Sequence, residues 1–218
     1  NVGVPSKGVK LKLVPNGGKL EARLKSPSIT PGYYGDAGGA KSYIDDEGYY
    51  MLGDALRPVD PDDLTRGFFF DGRTAENFKL STGTWVAVGA LRARLINHFG
   101  GLIRDAVIVG ESRSYLGAIV LPNIDAMQKL GTARDIASLM GEAAVRAAFE
   151  ERLSSFAAEA TGSSTRVRRL IVMETAPDLD KGEMTDKGSI NQRAVIANRP
   201  QLVEAIYSGS ERVIEARK

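Results

Sequence analysis

The sequence predicts an α+β protein in two parts, a small β-rich front and a longer α+β back, and three observations predict it. Residues 9–25 alternate apolar and charged side chains around a Pro15-Asn16-Gly17-Gly18 turn, the period of a half-buried hairpin. Residues 26–72 are rich in Gly, Pro, Tyr and Asp, with only short apolar pieces. After Trp85 the spacing changes to that of helices interleaved with strand-length apolar runs. The boundary falls near Gly72–Lys79.

In the first hairpin Val9, Leu11 and Leu13 alternate with Lys10 and Lys12, and Leu20, Ala22 and Leu24 with Lys19, Glu21, Arg23 and Lys25. One face is therefore expected to be apolar and the other charged and solvated, with no function assigned to its cations. Short strands are expected near residues 49–52 and 68–70, and no long helix fits before residue 72. Leu91, Leu95, Ile96 and Phe99 lie on one helical face within residues 88–99. Residues 106–109 and 116–121 read as strands. The Ala-rich residues 135–160 read as one or two helices, residues 168–173 as a strand, 175–189 as a loop and 191–207 as a closing helix.

Composition narrows the chemistry. The 218 residues are 43% hydrophobic and 26% charged with a formal net charge of +2, enough to bury a core without disulfide or metal. No cysteine is present, which removes thiol nucleophiles, thiolate zinc sites and iron–sulfur clusters and fits a reducing, cytoplasmic setting. The one histidine, His98, lies in a predicted amphipathic helix and is expected at a helix surface or core edge, since no G-x-S-x-G elbow accompanies it. No apolar run nears the ~20 residues of a membrane span, and neither a membrane nor nucleic acid is an expected partner. The chain starts at Asn1 without initiator Met or leader, as expected of a piece of a longer protein.

Familiar nucleotide motifs are missing. No two glycines stand two positions apart, so G-x-G-x-x-G cannot occur, and there is no G-x-x-x-x-G-K-[ST] loop. Asp60, Asp62 and Asp63 lack the spacing of a calcium loop and read as a solvated turn. The runs Ser81-Thr82-Gly83-Thr84 and Thr161-Gly162-Ser163-Ser164-Thr165 lack the lysine of a phosphate cradle.

Three patches remain. The first is Thr30-Pro31-Gly32-Tyr33-Tyr34 followed by Asp46-Glu47-Gly48-Tyr49-Tyr50-Met51-Leu52-Gly53-Asp54. The second runs from Phe70-Asp71-Gly72-Arg73-Thr74-Ala75 through Lys79 to Gly83-Thr84-Trp85-Val86. The third is Gly182-Glu183-Met184-Thr185-Asp186-Lys187-Gly188-Ser189-Ile190-Asn191-Gln192-Arg193. Taken singly, Asp54 is a turn-forming acid, Gly83 a turn residue, Trp85 a core anchor and Lys187 a solvated lysine. Together they resemble the adenylate-forming (AMP-binding) acyl-CoA synthetase superfamily, over nearly the whole chain, and their wording is closest to feruloyl-CoA synthase and related aryl-CoA ligases.

That resemblance implies an ATP-dependent acid–thiol ligase, of which residues 1–72 are the distal β subdomain of a large N-terminal region, 73–79 a hinge and 80–218 a mobile C-terminal α+β domain. It implies that Asp54 accepts the ribose hydroxyls of ATP, that Arg73 reaches ribose or phosphates, and that Gly83 and Trp85 line the tunnel for coenzyme A. Ala75 stands at the pivot, where many relatives carry Asp or Lys. Lys187 is the implied catalytic residue, its ammonium bridging oxyanions as a carboxylate attacks the α-phosphate. An aromatic carboxylate, ATP with Mg²⁺ and coenzyme A are the implied reactants, with no Mg²⁺ ligand among these residues. The phosphate loop and acyl pocket would precede Asn1, so the fragment alone is expected to be inactive. The alternatives are a fatty-acyl or other acyl-CoA synthetase, a ligase that delivers its adenylate to a carrier protein, and a non-catalytic partner-binding domain.

Overall fold

In a computed structural model, residues 1–32, 43–185 and 188–217 are described. Tyr33, Tyr34, Asp186 and Lys187 lie outside the described residues. The chain divides into two units, Asn1–Asn77 and Phe78–Lys218.

The first unit is a four-stranded antiparallel sheet of β1 (Lys10–Asn16), β2 (Lys19–Lys25), β3 (Tyr50–Pro58) and β4 (Phe68–Arg73), paired in that order. Asn16 opposes Lys19 across a two-residue turn in which Gly17 and Gly18 have φ of 59° and 77°. Both positions need positive φ in the turn that matches strand twist, and glycine adopts it without steric cost. The 60–63 acids form a turn as expected: Asp63 caps the short 3-10 helix Leu64–Arg66, accepting from the Thr65 N–H at 3.0 Å, and Asp60 pairs with Arg66 at 3.1 Å.

The charged face of the first hairpin is not simply solvated. Lys12 and Arg23 sit directly opposite each other, a like-charge pair that opposes strand pairing. Asp45 resolves it, with Oδ2 2.8 Å from Lys12 and 3.0 Å from Arg23, while Arg23 also pairs with Glu21 at 2.9 Å. Glu21 is buried and Leu20 on the other face is exposed, so the face predicted as solvated holds a half-buried network. The Lys12 ammonium, chiefly, with the Tyr49 N–H holds the Asp45 carboxyl far below its ordinary range.

The second unit is a sheet of β10 (Ile214–Glu215), β9 (Val167–Val172), β8 (Leu116–Pro122) and β7 (Ile103–Val109), in that order, with β8 and β9 parallel and the other pairs antiparallel. A small hairpin, β5 (Phe78–Lys79) with β6 (Trp85–Val86), precedes it. On one face α1 (Val88–His98) and α4 (Ala143–Ala158) bring Leu95, Phe99, Phe149 and Phe156 onto Ala106, Ala118, Val120 and Leu170. On the other, α5 (Gln192–Asn198) and α6 (Pro200–Ser208) bring Val195, Leu202 and Ile206 onto Val107, Ile119 and Ile171. Burial on both faces is why the central strands read as continuous apolar runs instead of alternating ones.

The helical segment 135–160 is two helices, α3 (Ile136–Gly141) and α4, after a short α2 (Ile124–Met127). They part at Glu142, which adopts extended backbone and accepts N–H bonds from Thr132 and Ala133. The predicted closing helix also breaks, at Arg199 (φ −124°, ψ 50°). Pro200 has no N–H for a continuing helix and restricts the residue before it, yet it suits the first position of a new one. His98 ends α1 at the core edge, 2.7 Å from the Ser155 hydroxyl and edge-on to Phe156. Among the described residues no helix is long and apolar enough to cross a membrane.

Candidate functional site

Asp54 and Arg73 are cross-strand partners on β3 and β4, which makes their side chains neighbours on one face. Arg73 Nε lies 3.0 Å from Asp54 Oδ1 as an ion pair, without the alignment of a hydrogen bond. The Arg73 side chain is 62% exposed and that of Asp54 30%, with Asp54 Oδ1 itself buried, so the pair is half-open to solvent, chiefly on the arginine side. An acceptor and a forked donor side by side can together hold a vicinal diol and an adjacent anionic oxygen.

Ala75 is exposed in a one-turn 3-10 helix, Thr74–Glu76, directly after β4. The turn is tied to β3 by the Thr74 hydroxyl, which donates to the Gly53 carbonyl at 3.0 Å.

Gly83 and Trp85 share the β5–β6 hairpin. Gly83 has φ of +80° with open space where a Cβ would stand, and its N–H donates to the Leu80 carbonyl at 2.9 Å. Its glycine is required by backbone conformation and not by crowding. Trp85 is 42% exposed under the Lys79 ammonium, 4.9 Å from the ring centroid. This excludes the core-anchor reading of Trp85. The hairpin is held against the 110–115 turn by Ser81 N–H to Arg113 O and Ser112 N–H to Lys79 O, both 2.9 Å.

The segment after β9 carries the third patch. Met184 and Ile190 form a bridge, Thr185 N–H donates to Ser189 O at 2.9 Å, and Gly188 N–H to Thr185 O at 2.8 Å. The described residues on either side of 186–187 are therefore paired with one another. The base of that pairing is fixed by Glu183, 1% exposed, which receives Arg199 Nε at 3.0 Å, Arg199 Nη2 at 2.6 Å and the Asp178 N–H at 2.8 Å. The Arg199 guanidinium, first, holds the Glu183 carboxyl below its ordinary value. Arg199 also donates to the Thr175 and Ala176 carbonyls. Buried Gln192 anchors the other end, its Oε1 accepting from the Ile108 N–H at 2.9 Å.

The β5–β6 hairpin and the 175–190 loop leave opposite ends of the sheet. The hairpin is tied to the turn between Val109 and Leu116, whereas the loop follows Val172, which lies beside Val120 at the far end. Lys19 with Asp71, and Glu183 with Arg199, are supports of the candidate residues that sequence reasoning missed. Both pairs join residues distant in the chain, and no local spacing signals them. Among the described residues no three His, Asp or Glu side chains converge as metal ligands.

The architecture defines a two-sided sheet domain with a polar loop at each end, preceded by an acid–arginine pair on a separate β unit. Residues 77–211 match the family model described as "AMP-binding enzyme C-terminal domain", and the chain belongs to that family of adenylate-forming enzymes. A "carboxylic acid reductase" of Segniliparus rugosus is 30% identical over 190 residues, covering 86% of this chain and 15% of that protein. A chloroplastic "long-chain-fatty-acid–[acyl-carrier-protein] ligase" of Arabidopsis thaliana is 23% identical over 227 residues, covering 95% of this chain and 29% of that protein. Among solved structures, the A domain of the Segniliparus rugosus reductase, in complex with AMP and a co-purified carboxylic acid, is similar with a TM-score of 0.68 and 29% identity. The match covers 92% of this chain and 31% of that one. The chain thus spans under a third of the length of these relatives. They are reductase A domains and a carrier-protein ligase, which corrects the expected nearness to feruloyl-CoA synthase.

Proposed function

We propose that this chain is the C-terminal portion of an enzyme that activates a carboxylic acid with ATP and hands the acyl group to a pantetheine thiol. A carboxylate oxygen attacks the α-phosphorus and pyrophosphate leaves; the thiol then attacks the acyl carbon and AMP leaves. The observation that supports the reading is the half-exposed Asp54–Arg73 pair, an acceptor beside a forked donor of the kind that suits a ribose diol and an adjacent phosphate.

In this reading Lys187 supplies the ammonium for the first step and the Gly83–Trp85 turn faces the thiol in the second. Because their loops leave opposite ends of one sheet, each step needs a different face of the domain, and the turn at Ala75 is the joint. The similarity to a ligase named for an acyl-carrier protein supports a carrier-borne thiol. A second reading, an aryl-CoA ligase using free coenzyme A, draws on an open cavity of about 650 Å³ lined by Arg166, Arg168 and Arg217, whose guanidinium groups suit phosphates. The test uses the intact protein: pyrophosphate exchange across aromatic and fatty acids, then acyl transfer to coenzyme A or to a phosphopantetheinylated carrier. Exchange with some acid and transfer to carrier supports the first reading, transfer to coenzyme A alone supports the second, and exchange with no acid rejects both.

A further inference from the structure

The strand that presents Arg73 is irregular just before it. Asp54 opposes Arg73 and Leu56 opposes Phe70, so Ala55 on β3 stands against both Asp71 and Gly72 on β4. Two residues against one is a β-bulge, a device that re-aims a side chain and takes backbone groups out of the ladder. Gly72 has φ of +86°, a conformation glycine adopts freely and other residues do not. The direction of Arg73 is thus set by a distorted segment, and a distorted segment needs a fixing contact.

Lys19 provides it. From the start of β2, two strands away in the sheet, its ammonium donates to the Asp71 carbonyl oxygen and lies 3.2 Å from Asp71 Oδ1. Its side chain is only 6% exposed. Lysines are almost never buried unless paired, and this one spends its charge on the backbone and side chain of one bulge residue. Arg73, by contrast, is largely exposed, and Asp54 is the one acid it is paired with among the described residues.

We propose that Lys19 is a positioning residue for the nucleotide: by clamping Asp71 at the bulge it holds Arg73 beside Asp54 and so sets the affinity for ATP. The proposal rests on the reading that Asp54 and Arg73 contact the nucleotide.

The experiment measures KM for ATP and for the carboxylate by pyrophosphate exchange in the intact enzyme carrying Lys19→Met, Lys19→Arg, Arg73→Ala or both Lys19→Met and Arg73→Ala. Lys19→Met should raise the ATP KM about tenfold, the scale of one misaligned charge-assisted hydrogen bond. The carboxylate KM should stay unchanged, and Lys19→Arg should restore most of the loss. The double variant should be no worse than Arg73→Ala alone, because Lys19 acts through Arg73. Additive losses, or equal rises in both KM values, would overturn the clamp. If Arg73→Ala itself leaves the ATP KM unchanged, the nucleotide reading fails instead. Should Lys19→Met not fold, Asp71→Asn takes its place in the same cycle, with a smaller rise expected and the same non-additivity required.

Discussion

Replacing Glu183 by Gln tests how the third patch is built. The carboxylate is 1% exposed and receives two nitrogens of Arg199 and the Asp178 N–H, while the Arg199 side chain is 12% exposed. The amide keeps the shape but leaves a buried guanidinium without its countercharge. Breaking a buried pair by neutralising one partner costs about 3–5 kcal/mol. For a unit of this size each kcal/mol moves the midpoint by about 2–4 °C, so thermal unfolding should begin roughly 6–20 °C earlier. The assay is thermal and urea unfolding of the 218-residue chain by circular dichroism, with Trp85, its one tryptophan, as a second probe. The pH dependence has a definite sign. The Glu183 carboxyl is held below its ordinary value of 4.5, so its contribution is complete above that value and disappears as the pH falls through the lower, folded-state value. The gap between wild type and Glu183→Gln should therefore narrow in acid. A loss under about 1 kcal/mol at pH 7, or a gap that stays constant into acid, would mean that the buried Glu183–Arg199 pair does not hold this loop.

Two further outcomes follow from the site. In the intact enzyme Asp54→Ala should weaken ATP binding by roughly one to two decades, the value of a charge-assisted hydrogen bond, and unchanged affinity by calorimetry rejects the ribose assignment. Ala75→Pro fixes φ near −65° and restricts Thr74, so it should trap one orientation and spare one half-reaction; parallel behaviour of pyrophosphate exchange and thioester formation rejects the joint.

Much of the fold was legible because local chemistry and tertiary structure agree. Gly17-Gly18 can only be a tight turn between those alternating strands, and Leu91, Leu95 and Phe99 fix the buried face of α1. Where they compete, sequence reading failed. The helical pattern of residues 191–207 hides the break at Arg199-Pro200, where the guanidinium is recruited to Glu183, and two-residue β10 is too short to show a period. In the candidate site, patterned residues such as Asp54, Arg73 and Gly83 were legible. Their supports were not, since Lys19 and Asp71 are 52 positions apart and only the sheet order brings them together. Trp85 is not the core anchor expected of a lone tryptophan, because the β5–β6 hairpin turns Phe78 and Val86 into the core and leaves the Lys79–Trp85 pair on its outer face.

Whether the two ends of one sheet domain serve two successive reactions is decided by Lys187→Ala in the intact enzyme, assayed separately for pyrophosphate exchange and for thioester formation from supplied acyl-adenylate. Exchange should fall by several orders of magnitude while thioester formation persists, because the ammonium offsets charge only as the carboxylate attacks phosphorus. Equal loss of both half-reactions, or full retention of exchange, would contradict that division between the two ends.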